Sequence, residues 1–169
     1  GRVIMGLGGG WNREEMENHG TQYESRFAKL EEQMQALKAI WTQEEATFRG
    51  EFENFERVWS WPKPVQAPHP PLVLGGETLH TLRRIVRYAD GWLPRMRSVD
   101  WLRDSIGTLH RVAEEAGRDP AEISVSVFAP PPSVVDELRE LPVDRAVLWV
   151  PPDDEDSSLQ LLDRYAGAL

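Results

Sequence analysis

The chain has 169 residues, 40% hydrophobic content and seven Trp, which predicts a globular protein with one sizeable core. Its net charge of -9 argues against nucleic-acid and anionic membrane partners, because both need a basic face. The lack of Cys excludes disulfides and thiolate chemistry, and no signal peptide or apolar run near the ~20 residues of a membrane span is present, so we expect a cytoplasmic protein.

The first element is a short apolar run at residues 3–7, which reads as a buried strand. The chain starts at Gly1 rather than at an initiator Met. A parallel strand at the open edge of a sheet leaves backbone groups unpaired. We therefore expect N-terminal sequence to be missing.

Short apolar runs then alternate with segments of helical period. Strands are predicted at residues 72–74, 91–93, 123–128 and 146–150. Helices are predicted at about residues 25–42, 78–88, 99–116, 133–141 and 156–168. The longest helix has an apolar stripe of Phe27, Leu30, Met34, Leu37, Ile40 and Trp41. Parallel strands joined by crossover helices are the economical interpretation, which predicts an α/β fold with about five βα units.

Residues 46–71 interrupt this alternation. Aromatic residues recur around Gly50, and five Pro residues follow between positions 62 and 71. The pattern predicts an insertion made of a β-hairpin and a Pro-rich connector, which serves as a lid or only as a cover.

Helix boundaries have recognisable capping residues. Asn12 and Glu15 have the spacing of a capping box, and Gly20 and Gly117 each follow a predicted helix. These residues predict where helices start and stop rather than chemistry.

The sequence Gly75-Gly76-Glu77-Thr78 follows a predicted strand and opens a helix. Glycines let a ligand approach the backbone, and the amides and dipole of a helix start favour an anion. Thr78 and Thr81, one turn apart, can both donate hydroxyls to one phosphate. The alternative is that Thr78 only caps the helix and the glycines only make a tight turn.

Several longer stretches resemble a known family. They are GRVIMGLGGGWNREEMENHG, Ser25-Arg26 opening a long helix that ends in Trp41-Thr42, PKPVQAPHPPLVLGGET and ADGWLP. In this order and spacing they resemble the luciferase-like monooxygenase superfamily, particularly its members that use coenzyme F420. The resemblance implies a (β/α)8 TIM barrel, with residues 1–169 as an N-terminally truncated barrel domain supplying strands four to eight.

The resemblance also implies a set of cofactor contacts. In the family the loop at Gly75, Gly76, Glu77, Thr78 and Thr81 binds the flavin phosphate. An Arg corresponding to Arg26 pairs with that phosphate, for which a surface salt bridge is the alternative.

Glycines at the end of the first strand are the remaining cofactor contacts that we expect. Gly8 and Gly9 permit close passage of the cofactor, with Trp11 either lining the pocket or packing in the core. FMN-binding luciferases have an Arg near Leu7, and this departure favours coenzyme F420 over FMN.

The function implied is hydride transfer between coenzyme F420 and a small organic substrate. An FMN-dependent monooxygenase of the same superfamily is the alternative. A non-catalytic binding protein on this fold is a further alternative. A phosphate-binding isomerase or aldolase is disfavoured, because the predicted strand ends of this sequence lack the Lys, Glu or His that such an enzyme needs. We expect weak or no activity from this chain alone.

No catalytic residue is identified, because the cofactor supplies the difficult chemistry in such enzymes. The four His residues lack metal-ligand spacing, so we expect no metal. Family members often dimerise, which makes a homodimer the expected assembly.

Overall fold

The computed structural model describes residues 1–167. The chain divides into two compact units, Gly1–Val73 and Leu74–Leu169, with the boundary inside one strand. Among the described residues, no helix combines the length and apolar composition needed to cross a membrane.

The first unit contains three strands, two helices and the start of a fourth strand. Its elements are β1 (Met5–Leu7), α1 (Arg13–Asn18), α2 (Arg26–Thr42), β2 (Ala46–Arg49), β3 (Asn54–Val58) and the beginning of β4 (Leu72–Gly75). Strand β1 neighbours β4 in the main sheet. The amide of Met5 donates to the carbonyl of Pro71 at 2.9 Å, immediately before β4.

Helix α2 supplies much of the buried surface of this unit. The predicted stripe is partly confirmed, because Leu30 and Met34 are buried. Ala36 and Ala39 are buried as well, whereas Trp41 is only half-buried. The buried face is thus made by small residues in the second half of the helix, where the hydrophobic pattern had indicated large ones.

The predicted hairpin is confirmed as the antiparallel pair β2–β3. Phe48 and Phe55 face each other across it, with ring centroids 6.1 Å apart. The Glu32 carboxylate of α2 accepts hydrogen bonds from the amides of the hairpin loop, Glu51, Phe52 and Glu53, at 2.9, 2.7 and 3.1 Å. Helix α2 therefore fixes the loop through one side chain.

The second unit continues from the end of β4 as alternating helices and strands. Its elements are α3 (Leu79–Tyr88), β5 (Gly91–Leu93), α4 (Val99–Glu115), β6 (Ser124–Phe128), α5 (Val135–Arg139), β7 (Arg145–Val147) and α6 (Glu155–Ala166). The strand order is β4-β5-β6-β7, and the pairs β5–β6 and β6–β7 are parallel. This confirms the predicted α/β class with crossover helices.

The core of the second unit is built from large apolar side chains. Those that are fully buried include Trp92, Ile85, Leu102, Leu109, Val125 and Val127. Helices α3 and α4 pack on each other. Arg118, after α4, donates to the carbonyls of Ile85, Val86 and Ala89 at 3.1, 2.9 and 2.8 Å, so it satisfies the carboxyl end of α3.

Several predicted boundaries differ from the observed ones. The first strand begins at Met5 rather than at residue 3, and β7 ends at Val147, three residues before the predicted end. The helix predicted at 133–141 is α5, which begins only at Val135 because Pro132–Val134 forms a 3-10 turn. The helix predicted at 156–168 begins one residue earlier, and its last predicted position lies outside the described residues.

Candidate functional site

The loop after β4 is shaped by the side chains that surround it. Thr78 is the N-cap of α3, and its hydroxyl accepts the amide of Thr81 at 3.2 Å. The indole N–H of the fully buried Trp92 donates to the carbonyl of Gly76 at 2.7 Å. The loop is thus held from the helix on one side and from β5 on the other.

Position 76 requires glycine for two independent reasons. Its φ of +116° lies in the left-handed region that L side chains rarely adopt. A Cβ at this position would also lie 2.9 Å from the Thr81 hydroxyl oxygen. The missing side chain lets the backbone pass directly over the first turn of α3.

The start of α3 has backbone donors to offer. The first N–H groups of a helix have no acceptor within the helix. Thr78 satisfies that of Thr81, which leaves those of Leu79 and His80 for a ligand or for water. The hydroxyls of Thr78 and Thr81 hydrogen-bond to each other at 3.1 Å, so the proton of the accepting hydroxyl remains for donation to an anion.

Glu77 forms an ion pair with Arg97, which lies beyond the end of β5. The Glu77 side chain is 18% exposed and that of Arg97 is 61% exposed. Because the guanidinium neutralises the carboxylate, an anion at the loop is not repelled by an unpaired charge. Neither Arg97 nor Trp92 was predicted as a site residue. The signal for Trp92 was its place in the ADGWLP motif, and that for Arg97 was its position just after a predicted strand.

In the first unit, Arg26 is held between two aromatic rings. Its guanidinium carbon lies 3.6 Å from the ring centroid of Tyr23 and 4.3 Å from that of Phe27. One terminal nitrogen donates to the Tyr23 carbonyl at 2.6 Å. The Nε atom is buried and has no hydrogen-bond partner within residues 1–167. This orphaned donor fits an anionic ligand, and the role of Arg26 stays a prediction.

The glycines after β1 lie close to side chains of the same unit. A Cβ at Gly9 would lie 2.6 Å from the Phe27 ring, whereas one at Gly8 would meet nothing within 4 Å. Gly9 and Arg26 therefore contact the same ring. Trp11 is 85% exposed, so the alternative that it packs in the core is wrong.

The predicted caps of α1 are confirmed in part. The Asn12 side chain accepts the amide of Glu15 at 3.3 Å, which is half of a capping box. Gly20 follows the helix with φ +75°. These residues end a helix of six residues and need no ligand to explain them.

Leu7 lines a cavity of about 370 Å³ in the first unit. Its lining combines the apolar Ala36, Leu37, Ile40 and Phe55 with the polar Gln33 and Glu53. In the part of the chain that the structure describes, no group of three His, Asp or Glu side chains has the arrangement of a metal site.

Comparison with known proteins gives one family. The family model described as luciferase-like monooxygenase matches residues 1–158. An uncharacterised protein of Mycobacterium bovis is 37% identical over 172 residues, covering 100% of this chain and 60% of the relative. An FMNH(2)-dependent dimethylsulfone monooxygenase of Pseudomonas putida is 28% identical over 142 residues, covering 82% of this chain and 39% of that protein.

Solved structures show the same fold. Monooxygenase RslO1 from Streptomyces bottropensis superposes with a TM-score of 0.81 at 16% identity, covering 100% of this chain and 68% of that one. An F420-dependent secondary alcohol dehydrogenase in complex with an F420-acetone adduct superposes with a TM-score of 0.63 at 17% identity, covering 99% of this chain and 62% of that one. The expected (β/α)8 barrel class, represented here by about five βα units, is confirmed. The chain spans about 60% of the length of the mycobacterial relative.

Proposed function

Because this chain belongs to the luciferase-like monooxygenase family, we propose that it supplies the cofactor-phosphate side of an oxidoreductase that uses coenzyme F420. The reaction is hydride transfer between the deazaflavin and a small organic substrate. The homodimer and the lack of nucleic-acid and membrane partners remain predictions.

The observation that supports this proposal most directly is the geometry at Gly76. A positive φ and the contact with Thr81 exclude any side chain there. The loop leads straight into the amino end of α3, where the amides of Leu79 and His80 and the hydroxyl of Thr78 lie. A phosphate ester has the negative charge and the acceptor oxygens that such donors need.

The buried Nε of Arg26 is a second, separate observation. A guanidinium that is held on two rings has lost its freedom before any ligand arrives, so little entropy remains to be lost on binding. Its orphaned N–H would regain a hydrogen bond from a phosphate oxygen.

When bound, the deazaflavin supplies the hydride chemistry itself. The residues of this chain bind and orient. Thr78 and Thr81 would hold the phosphate, and the Gly76 carbonyl oxygen is occupied by the indole N–H of Trp92. Holding the phosphate would help to orient the cofactor.

An FMN-dependent monooxygenase is the second candidate, favoured by the name of the Pseudomonas putida relative. The resemblance favours F420, because FMN-binding luciferases are expected to have an Arg near position 7, where this chain has Leu7. A non-catalytic protein on the same fold would retain the loop and bind a cofactor without turnover.

The test is a fluorescence titration of the chain with coenzyme F420 and, separately, with FMN. We expect Gly76→Pro to abolish F420 binding, because Pro fixes φ near -65° and removes an N–H. Glu14→Ala, in α1, is the matched control and should bind as the parent does. Thr81→Val, which keeps the shape and removes one hydroxyl, should weaken binding about 5- to 10-fold.

Equal F420 binding by Gly76→Pro and the parent would overturn the assignment of the loop. Binding of FMN alone would establish the second candidate. Circular dichroism of each variant separates loss of the site from loss of the fold.

A further inference from the structure

An aromatic pair lies where β6 and β7 end. Phe128 is the last residue of β6, and Trp149 lies two residues beyond β7. Their rings meet edge to face, with centroids 5.8 Å apart and an angle of 73°. Trp149 is 52% exposed, so one side of the pair is open to a ligand.

The two rings meet at and just past the ends of neighbouring strands. Phe128 is paired in register with Val147, the last residue of β7, and the chain continues past the strand to Trp149. Val125, Ser126 and Val127 of β6 are all buried, whereas Phe128 is half-buried. The pair therefore lies at the end of the buried part of β6, with Trp149 as its exposed member.

Backbone hydrogen bonds hold both rings in place. The amide of Phe128 donates to Pro94 at 2.8 Å, and its carbonyl accepts the amide of Met96 at 2.9 Å. The carbonyl of Trp149 accepts the hydroxyl of Tyr165, from α6, at 2.6 Å. A surface fixed in this way loses little conformational entropy when a ligand binds.

The pair lies at the same edge of the sheet as the Gly75-Gly76 loop. The Cβ position of Gly75 is 3.8 Å from the Leu93 carbonyl, which places the end of β4 beside the end of β5. Arg95, just past β5, bridges to Phe128 in parallel. Barrel enzymes build their sites at this edge, where the parallel strands end.

We propose that Phe128 and Trp149 form an aromatic wall of the substrate site and that this wall selects a planar aromatic or conjugated ring. The inference rests on the proposed function, because it names the substrate class of that enzyme. Edge-to-face and offset stacking reward a flat π-system, whereas a puckered aliphatic ring of equal size gains only the burial of its surface.

The experiment uses 2-naphthol as a planar probe and decahydro-2-naphthol, which has the same carbon skeleton, as an aliphatic one. Both are titrated into the chain while the indole N–H resonances of the seven Trp are followed by NMR. The Trp149 resonance is assigned by its loss in Trp149→Phe. We expect 2-naphthol to shift this resonance and decahydro-2-naphthol to leave it in place.

The affinities of matched variants complete the test. Trp149→Ala should raise the dissociation constant for 2-naphthol about 3- to 10-fold, and Trp149→Phe about 2-fold, since Phe retains a ring. Trp59→Ala, which removes another exposed indole, should have no effect. Unchanged binding by Trp149→Ala overturns the proposal, as does a shift confined to Trp11, Trp59 or Trp61.

A change of sedimentation coefficient in Trp149→Ala with unchanged 2-naphthol binding would also overturn it, by showing a protein interface instead. F420 fluorescence gives a separate readout. If the parent chain does not bind F420, the proposed function is contradicted. If it binds F420 but 2-naphthol does not shift the Trp149 resonance, only the aromatic wall is contradicted.

Discussion

In the first unit, the loop at Gly50 is filled by the chain itself. A Cβ at Gly50 would collide with the Glu32 carboxylate, which accepts three successive amides of the loop. In the second unit, the carboxylate beside Gly75 and Gly76, that of Glu77, forms an ion pair with Arg97. The Cβ position of Gly75 has only one atom within 4 Å, the Leu93 carbonyl oxygen.

The two loops show that backbone amides beside a glycine can serve structure or ligand binding, depending on whether a side chain of the protein reaches them. Glu32 shows in this chain that backbone amides beside a glycine bind a carboxylate. At Gly76 the amides belong to a helix start, and the side chain nearest to the glycine is a hydroxyl, Thr81. Breaking each loop in turn tests this difference.

The largest effect is expected for Gly76→Ala. Strain at a φ of +116° and the clash with Thr81 together should destabilise the fold by about 2 to 4 kcal/mol. Gly117→Ala is the matched control, since its φ is +72° but nothing lies within 4 Å of the added Cβ; it should cost about 1 kcal/mol. Urea unfolding measures both, and equal costs would show that the contact with Thr81 is unimportant.

An intermediate effect is expected for Gly9→Ala, where the added methyl would lie 2.6 Å from the Phe27 ring. We expect about 1 to 2 kcal/mol, because the ring can turn to relieve part of the overlap. The neighbouring Gly8→Ala, with open space around it, should be neutral within about 0.5 kcal/mol. Thermal unfolding of both variants measures these costs. A larger loss of stability in Gly8→Ala than in Gly9→Ala would contradict the packing described for this turn.

The smallest effect is the pH dependence of the hairpin loop. Burial raises the pKa of Glu32, but the hydrogen bonds from Phe52, Glu51 and Glu53 outweigh it and hold the pKa below its ordinary value of 4.5. Because the folded pKa is lowered, the stabilisation is present above pH 4.5 and is lost as the pH falls through the lowered value.

The Phe52 amide resonance should therefore titrate with a midpoint below 4.5, and this titration should vanish in Glu32→Gln while it persists in Glu14→Gln. A midpoint above 4.5 would show that the carboxylate does not bind the loop.

Local pattern explains most of what the sequence predicted. The apolar runs at β4 and β5 and the period of α4 place these elements within one or two residues. The end of β7 was misplaced because residues 148–150 continue the apolar run after the strand has ended. Before α5, the three prolines at positions 130–132 favour a 3-10 turn that the helical period does not show.

Pairings between distant positions were not predictable. Trp92 reaches Gly76 across 16 residues, and Arg118 reaches Ile85 across 33. Each pairing depends on how neighbouring elements pack, which hydrophobic periodicity leaves open. The aromatic contact of Phe128 with Trp149 belongs to the same class, since it follows from the register of β6 and β7.

Arg118 gives α3 an unequal pair of ends. Its guanidinium places positive charge on the last carbonyls and neutralises the negative pole of the helix. The positive pole at Leu79 has no carboxylate cap, because its N-cap is the neutral Thr78. The chain as a whole has a charge of -9 and repels anions at long range. Attraction is then confined to about a Debye length from the helix start, ~8 Å at physiological salt. Added salt should therefore first raise the association rate of an anion, because it screens the long-range repulsion, and only at higher concentration lower the affinity.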